Sequence, residues 1–553
     1  MRHTCTALLL LVFALPRAVF AQAPPVEDAV EAWSLVRNWI NTGRVPAGND
    51  TLGPAVQGVA IQLTWQGELI GADQAHRATG STHPLTQAAR GALTKALADH
   101  RFTSLIDPEQ RGQEWDLRRS VLSNLAVEVE LTGDMQPLTG PLEFLHQDVH
   151  PALDGLAVRR GSQWTLHFPS HLRAVGRAAT RQTLNGMLLV HSINEVEADT
   201  MRRSGEVTVY RMPAISLRQL HNSESPSLYL RGREDASTIV ASRADAISLS
   251  DDLAHGLQRF RQSLPETEGW FGGTWDPNRD EWPRRTASDH NTALCAYALA
   301  RWAAVRNSPD DAIEVVWHAL RQLGDHADRD PRTAVLALLA SQQLGQSDLV
   351  AQSARAVALN AVQSDDPQVR AMAVLASVRA GDTSVVPAAV SHWLSPTSGT
   401  LSQAMPWAIE ATTESSSDAL AVHANLLREL LLAKQLSSTN HWGPEAAGAV
   451  RPGLDADSMG MPSLREGHTL SALIRNADAS ERIWLRDRAL ALATHLRRRT
   501  IGAETARQWA SPDRAQDRVR LAPWDERVSI SAQAFALLTA LNLEAVLTEE
   551  PSE

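Results

Sequence analysis

The chain changes character once, near its middle, and that change constrains its fold more than any single motif. Residues 27 to about 235 hold strand-like alternation separated by helical stretches, whereas residues 248 to 547 are almost entirely Ala/Leu-rich helical segments. A period of two buries one face of a strand and a period near 3.6 buries one stripe of a helix, so the halves call for different layers. The expected architecture is an α+β N-terminal domain over 27–235, a linker over 236–247, and an all-α domain of helical hairpins over 248–547 closing into an α/α toroid. The boundary is placed near Asp245. At 553 residues the chain is long enough for more than one core.

Residues 1–21 read as a secretory signal peptide, with Arg2, an apolar run from Ala7 to Leu15, and Val19-Phe20-Ala21 as a small-residue cleavage site. The expected location is therefore periplasmic or secreted. Cys5 lies inside that leader, which leaves Cys295 as the single cysteine of the mature chain and forbids an intramolecular disulfide. No further apolar stretch is expected to cross a bilayer, so no integral membrane contact is foreseen after cleavage. Net charge is −11 and no long basic run occurs, which argues against nucleic acid as a partner.

In the first half, Gly58 to Trp65 predicts a strand, with its partner beginning at Leu69-Ile70 after the Gln66-Gly67 turn. Thr82 to Leu97 predicts a helix with Pro84 near its start. Leu125 to Leu131 alternates as a strand with one wetted face, Leu156 to Arg159 and Trp164 to Phe168 form a hairpin about Gly161-Ser162, and Gly205 to Met212 adds a strand. A short strand is possible at Ser227 to Leu230. Glu128 and Glu130 share a strand face, where they are either an acid/base pair or a solvated edge.

The order of these elements, with Asp99-His100-Arg101-Phe102, Leu125-Ala126-Val127-Glu128-Val129-Glu130-Leu131 and Asp154-Gly155-Leu156-Ala157-Val158-Arg159-Arg160-Gly161, resembles the domain of the AMME-syndrome candidate-protein family. The resemblance covers roughly a third of the chain and implies a small α+β domain. In that family the first hairpin carries Arg-Gly-Cys-x-Gly. Here Leu69-Ile70-Gly71-Ala72-Asp73 stands in its place, so the fold is implied without the family's site.

In the second half, helices are predicted from His290 to Arg301 with Asp289 as cap, Ala312 to Leu323, Arg332 to Leu344 after Pro331, a segment after Asp366-Pro367, Asp418 to Leu436, His468 to Arg475, Ser480 to Arg499, and Ser529 to Leu547. Short breaks between them make consecutive helices antiparallel neighbours. Closure of such a stack removes two exposed apolar ends. Gly269-Trp270-Phe271-Gly272-Gly273, Asp289-His290-Asn291, Gly467-His468-Thr469 and Asp525-Glu526-Arg527 are similar to α/α-toroid proteins of the terpene-cyclase, prenyltransferase and sugar-active superfamilies. That resemblance implies architecture rather than a reaction. Asp455-Ala456-Asp457-Ser458 lacks the adjoining aspartate of the cyclase acid motif. Cys295, Asp289 and His290 lack the spacing of a local metal cluster, so no metal and no cofactor is expected.

Eleven of the 16 tryptophans follow the boundary. Indoles there either stack a ligand or plug the ends of the helical ring. The candidate ligand-binding residues are Trp270, Trp275, Trp282, Trp442 and Trp524 with Arg284 and Arg285, which would clamp an acidic group bidentately. The candidate catalytic residues are Glu281 as an acid, Asp457 or Asp525 as its partner, and His290 or His468 as a proton carrier. The chain lacks a Gly-Lys-Ser/Thr phosphate loop, a dinucleotide fingerprint, a Gly-x-Ser-x-Gly elbow and His-Glu-x-x-His. The expectation is an exported two-domain binding or scaffold protein whose indole-rich helical cavity accepts a glycan, peptide or apolar small molecule. The alternative is a carbohydrate-active hydrolase or lyase using paired carboxylates.

Overall fold

A computed structural model describes residues 23–48, 52–103, 122–141, 148–150, 153–170, 180–219, 225–230, 233–234, 239–262, 271–307, 310–346, 349–393, 401–438, 446–451, 463–522 and 525–548. The proposed leader lies outside them, as do Trp270, Trp442, Asp457 and Trp524 and the side chain of Arg285. The chain divides into two compact units, residues 1–64 with 70–228, and residues 65–69 with 229–553.

The first unit is α+β. Its antiparallel sheet is built from β1 (Gly58–Trp65), β2 (Glu68–His76), β3 (Ala126–Thr132), β4 (Gln136–Pro137), β5 (Asp154–Arg160), β6 (Gln163–His167) and β7 (Val207–Gln219), in the order β2-β1-β3-β7-β5-β6, with β8 (Pro226–Leu230), which contains the strand expected at Ser227 to Leu230, also on β7 and β9 (Arg233–Glu234) on β8. The central register sets Val129 beside Ile61 on one side and Leu217 on the other. Val127, Val129 and Leu131 alternate inward on β3. Helices α1 (Val26–Thr42), α2 (Pro84–Ala98), α3 (Thr180–Val190) and α4 (Glu195–Arg203) complete the unit. α1 packs on β3 and β7, and Trp33 donates to the Val127 carbonyl at 3.1 Å. The β5–β6 turn needs Gly161 at φ 58, a left-handed conformation that costs glycine nothing.

The wetted face expected for β3 is not wet. Glu128 and Glu130 are buried, and Glu130 accepts from the Ser170 amide and hydroxyl at 3.0 and 2.6 Å and from Ser216 Oγ at 2.7 Å. Arg218 lies 3.9 Å from Glu128. Alternation reported the two faces correctly, but both faces are covered, and the polar one is covered by hydrogen-bond partners.

The second unit is dominated by α5 (Arg243–Gln262), α6 (Asp289–Val305), α7 (Asp310–Leu323), α8 (Pro331–Gln343), α9 (Gln352–Asn360), α10 (Pro367–Arg379), α11 (Val386–Trp393), α12 (Leu401–Glu414), α13 (Ala421–Ala433), α14 (Leu464–Arg475), α15 (Ala479–Arg499) and α16 (Ile530–Thr548). α5 begins at Arg243, so the last five residues of the expected linker are helical. α6 packs on α8, α8 on α10, α10 on α12, α12 on α14, α14 on α16, and α16 returns to α6. The cycle of contacts is closed. The odd-numbered helices pack outside it, α7 on α6, α9 on α8, α11 on α10, α13 on α14, and α15 and α5 on α16.

The even-numbered helices are apolar nearly all round because both sides of each are covered. Thr292 to Ala303 of α6 and Thr333 to Ser341 of α8 are buried without a break. α16 is long and apolar enough to cross a membrane by length and composition, contrary to expectation, and 89% of that stretch is buried inside the protein as a ring helix. Asp330 and Asp366 cap α8 and α10, each ahead of a proline at the first helical position. The cap of α6 is Ser288, whose side chain accepts from the Asn291 amide, and Asp289 is the first residue of the helix instead.

The helical half also contains a sheet that periodicity did not predict. β10 (Gly272–Asp276), β11 (Glu281–Thr286), β12 (Arg520–Ala522) and β13 (Asp525–Ser529) pair in the order β11-β10-β13-β12. The strands are short, and Gly272, Gly273 and Pro283 interrupt the alternation by which a strand is read. β11 leads into α6 and β13 runs directly into α16.

Candidate functional site

The ring helices run parallel, which their end groups establish. Arg332 and the cap residue Asp366 pair across the starts of α8 and α10, and His290 at the start of α6 feels Arg332, Asp330 and Arg465. At the other end, Arg379 closing α10 donates to Glu414 closing α12 at 2.8 Å. All described helix starts in the cycle therefore share one rim, where backbone N–H groups and partial positive charge converge.

Beneath that rim lies an aromatic layer. Tyr297 and Trp407 have ring centroids 5.1 Å apart, Trp407 and His468 5.9 Å, and His468 and Phe535 5.9 Å, with the Arg465 guanidinium 5.3 Å over Phe535. His468 is a buried packing residue here: burial, helped by Arg301 and Arg465, pushes its pKa down to about 3, so the ring is neutral at neutral pH. His290 is lowered to about 4 by burial and then by Arg332 and Arg465. Neither histidine is poised to exchange protons near pH 7, as the sequence reading expected of them.

Below the aromatic layer is an ionic one. Arg301 donates to Asn542 Oδ1 at 3.1 Å and lies 3.6 Å from Glu410, while Arg379 donates to Glu410 at 2.8 Å. Burial opposes ionisation of Glu410, but Arg301, Arg379 and Arg475 outweigh it and hold its carboxyl below the usual range. The space left among Arg301, Trp407, Glu410, His468, Arg475 and Asn542 is about 10 Å³, room for one water at most. That pocket is thus filled by its own side chains. Sequence reasoning missed Arg301 and Glu410, although a charged residue within a helix apolar on every face was the available signal.

The sheet carries a second polar cluster. Trp275 pairs with Val528 across β10 and β13, and the next residue of β10, Asp276, feels the charges of Glu526 and Asp525 on β13. Asp276, Asp525 and Glu526 are all buried. Burial pushes Asp276 up to about 6; the Asn278 amide and Arg279 oppose this, and Glu526 and Asp525 add to it. Arg527 chelates Asp525 with contacts of 2.9 and 2.5 Å. Asn278 donates its amide to Asp276 at 3.0 Å and its side chain to Glu526 at 2.5 Å, and accepts from Trp509 Nε1 at 3.4 Å.

Two neighbouring carboxyl groups in different surroundings are the arrangement from which acid and base roles separate. Asp276 retains a share of protonated form at neutral pH, and Asp525 keeps lone pairs beyond those that Arg527 occupies. Glu281, expected as the acid, is the register partner of Asp276 on β11 and is exposed, as is Arg284. Trp275 is fully buried and donates to Asp280 Oδ1 at 3.0 Å. It is part of the core rather than of an open mouth. Trp282 is half-buried, packed 6.5 Å from Trp275 and 6.2 Å from Phe260. Among the described residues, no group of three or more His, Cys, Asp or Glu side chains could hold a metal ion.

No protein-family model matches the chain, and no curated protein matches it. Among solved structures it is similar to the uncharacterised protein PH0010 from Pyrococcus horikoshii, at 16% identity and a TM-score of 0.25, over 38% of this chain and 99% of that one.

Proposed function

We propose that the chain is an exported glycan-handling protein in which Asp276 and Asp525 act as an acid/base pair at the sheet beside the rim of an α/α toroid. The observation that carries this reading is Asp276, a buried carboxyl raised to about 6, close to the Arg527-chelated Asp525 of the adjoining strand. In this reading Asp276 passes its proton to the departing glycosidic oxygen as the C–O bond breaks. Asp525 accepts a proton, from the attacking water in a hydrolase or from the sugar ring in a lyase. The closed cycle of ring helices supports kinship with the α/α-toroid superfamilies, and the antiparallel sheet of the first unit supports an AMME-like domain. Both kinships speak to architecture and leave the chemistry to the site.

A panel of polysaccharides and muropeptides, read for binding and product release together, tests the proposal. Product release by the wild type, lost in both Asp276→Asn and Asp525→Asn with folding intact, is the expected result. Loss confined to Glu281→Gln would return the acid role to β11. A binding or scaffold role without chemistry is the second reading, favoured by the filled pocket among Arg301, Glu410 and His468. Saturable glycan or peptide binding with no product would establish it.

A further inference from the structure

The outer helix α13 exposes an aliphatic stripe beside its polar Asn425 and Glu429. Leu427 and Leu431 pack inward, yet Val422, Leu426 and Leu430, spaced four apart on the opposite side, are exposed. The neighbouring α15 exposes Ile483 and Trp484, the indole being 85% exposed. The two helices are held together by Arg428, which donates to Glu481 at 2.8 Å, and Trp484 stands one turn along α15 from that bridge. At the starts of the two helices lies a polar cleft of about 230 Å³, walled by Asn425, Arg428 and Glu481 together with residues of α12 and α14. The other large exposed apolar side chains among the described residues do not gather an indole, an aliphatic stripe and a cleft in one place.

We infer that this face of α13 and α15 is the contact between two copies of the chain, related by a two-fold axis. Three features select a second copy as the occupant. A two-fold axis would lay the apolar stripe of one copy, Val422, Leu426 and Leu430 with Ile483 and Trp484, against the same stripe of the other, so that each copy supplies both halves of the contact. Its rim carries both signs, Glu429 and Asp487 against Arg486 and Arg488, so like surfaces can face each other without repulsion. Its size is also adequate: an aromatic side chain carries about 150–250 Å² and the five residues together offer on the order of 500 Å² per copy. Two copies would hide about 1,000 Å² in all, the threshold of a specific interface. A lipid surface is the poorer fit, since the chain carries a net charge of −11.

Sedimentation velocity and light scattering on the whole mature chain, across a wide concentration range, test this. The wild type is expected to be a concentration-dependent dimer. Trp484→Glu and Leu426→Glu, both at exposed positions, should each weaken the dimer at least about tenfold, as loss of a central interface residue does, with unchanged circular dichroism and unfolding temperature. A wild type that is monomeric at every concentration overturns the inference, whether or not that monomer binds phosphatidylcholine vesicles. A dimer that survives both substitutions overturns it as well.

Discussion

Arg379 donates to Glu410 at 2.8 Å across the inside of the ring, tying α10 to α12 well away from the helix starts at the rim. Glu410 also faces Arg301 of α6 at 3.6 Å, so one carboxylate links three of the ring helices.

Removing that carboxylate leaves guanidinium groups in the interior without their counter-charge. Glu410→Gln is expected to destabilise the protein by about 2–4 kcal/mol, somewhat less than a fully buried pair because the side chain retains some exposure. A lower urea midpoint with an unchanged slope would be the signature. A variant as stable as the wild type would mean that water already solvates this network.

The two lowered histidines make the protein acid-sensitive in a defined window. In the folded state His468 is held near 3 and His290 near 4, against an ordinary value of 6.5, so each binds fewer protons folded than unfolded between those limits. Stability therefore rises with pH through that window and is lost as pH falls from about 6.5. Substituting His468 by Gln should flatten the dependence by roughly 2–3 kcal/mol between pH 6.5 and 4. Thermal unfolding at a series of pH values measures it, and identical slopes in variant and wild type would contradict the assignment.

Asp276 has the opposite sign. Its folded pKa of about 6 lies above the ordinary 3.8, so it binds more protons folded than unfolded, and its ionisation costs stability as pH rises through that interval. Asp276→Asn should be more stable than the wild type above pH 6, by roughly 1–3 kcal/mol, and nearly equal to it below pH 4. Such a gain on removing a charged group is the mark of a site kept for function rather than for folding. Equal stability at every pH would remove that interpretation.

Cys295 reports on the α6–α16 contact. Its thiol is fully buried, lies 3.8 Å from the Ile530 carbonyl, and is pushed well above its ordinary pKa by burial. Thiol reagents should label Cys295 only at the rate of unfolding or of ring opening. Fast labelling of the native protein would show that α6 and α16 separate readily.

Gly256 sits inside α5, where alanine would ordinarily gain about 1 kcal/mol in helix propensity. A Cβ there would stand 2.1 Å from the Asp517 carbonyl oxygen, a backbone atom that cannot step aside as a side chain does. The clash should outweigh the propensity, giving a net loss of about 1–3 kcal/mol for Gly256→Ala. Chemical denaturation decides the sign.

Long elements were legible where one rule operated alone. α6, α8, α10 and α16 follow from apolar runs with Asp-Pro or Ser starts, and the strand pattern of Leu125 to Leu131 lies within one residue of β3. α12 was harder because Pro406 stands inside it, and the four-stranded sheet because glycine and proline break its alternation. Site residues were the least legible. Glu281 and Asp276 stand on neighbouring strands as similar acidic residues, and burial alone distinguishes the exposed one from the one raised to about 6.

The sequence by itself determined the division into an α+β half and a helical half, because periodicity and capping are local properties that each segment carries with it. Tertiary structure decided that the contacts of the helices close into a cycle, that Arg301, Glu410 and Trp407 meet within it, and that Asp276 rather than Glu281 is the perturbed carboxyl. Those outcomes depend on the water that distant segments remove, and solvent exclusion is a property of the assembled fold that no local stretch of sequence contains.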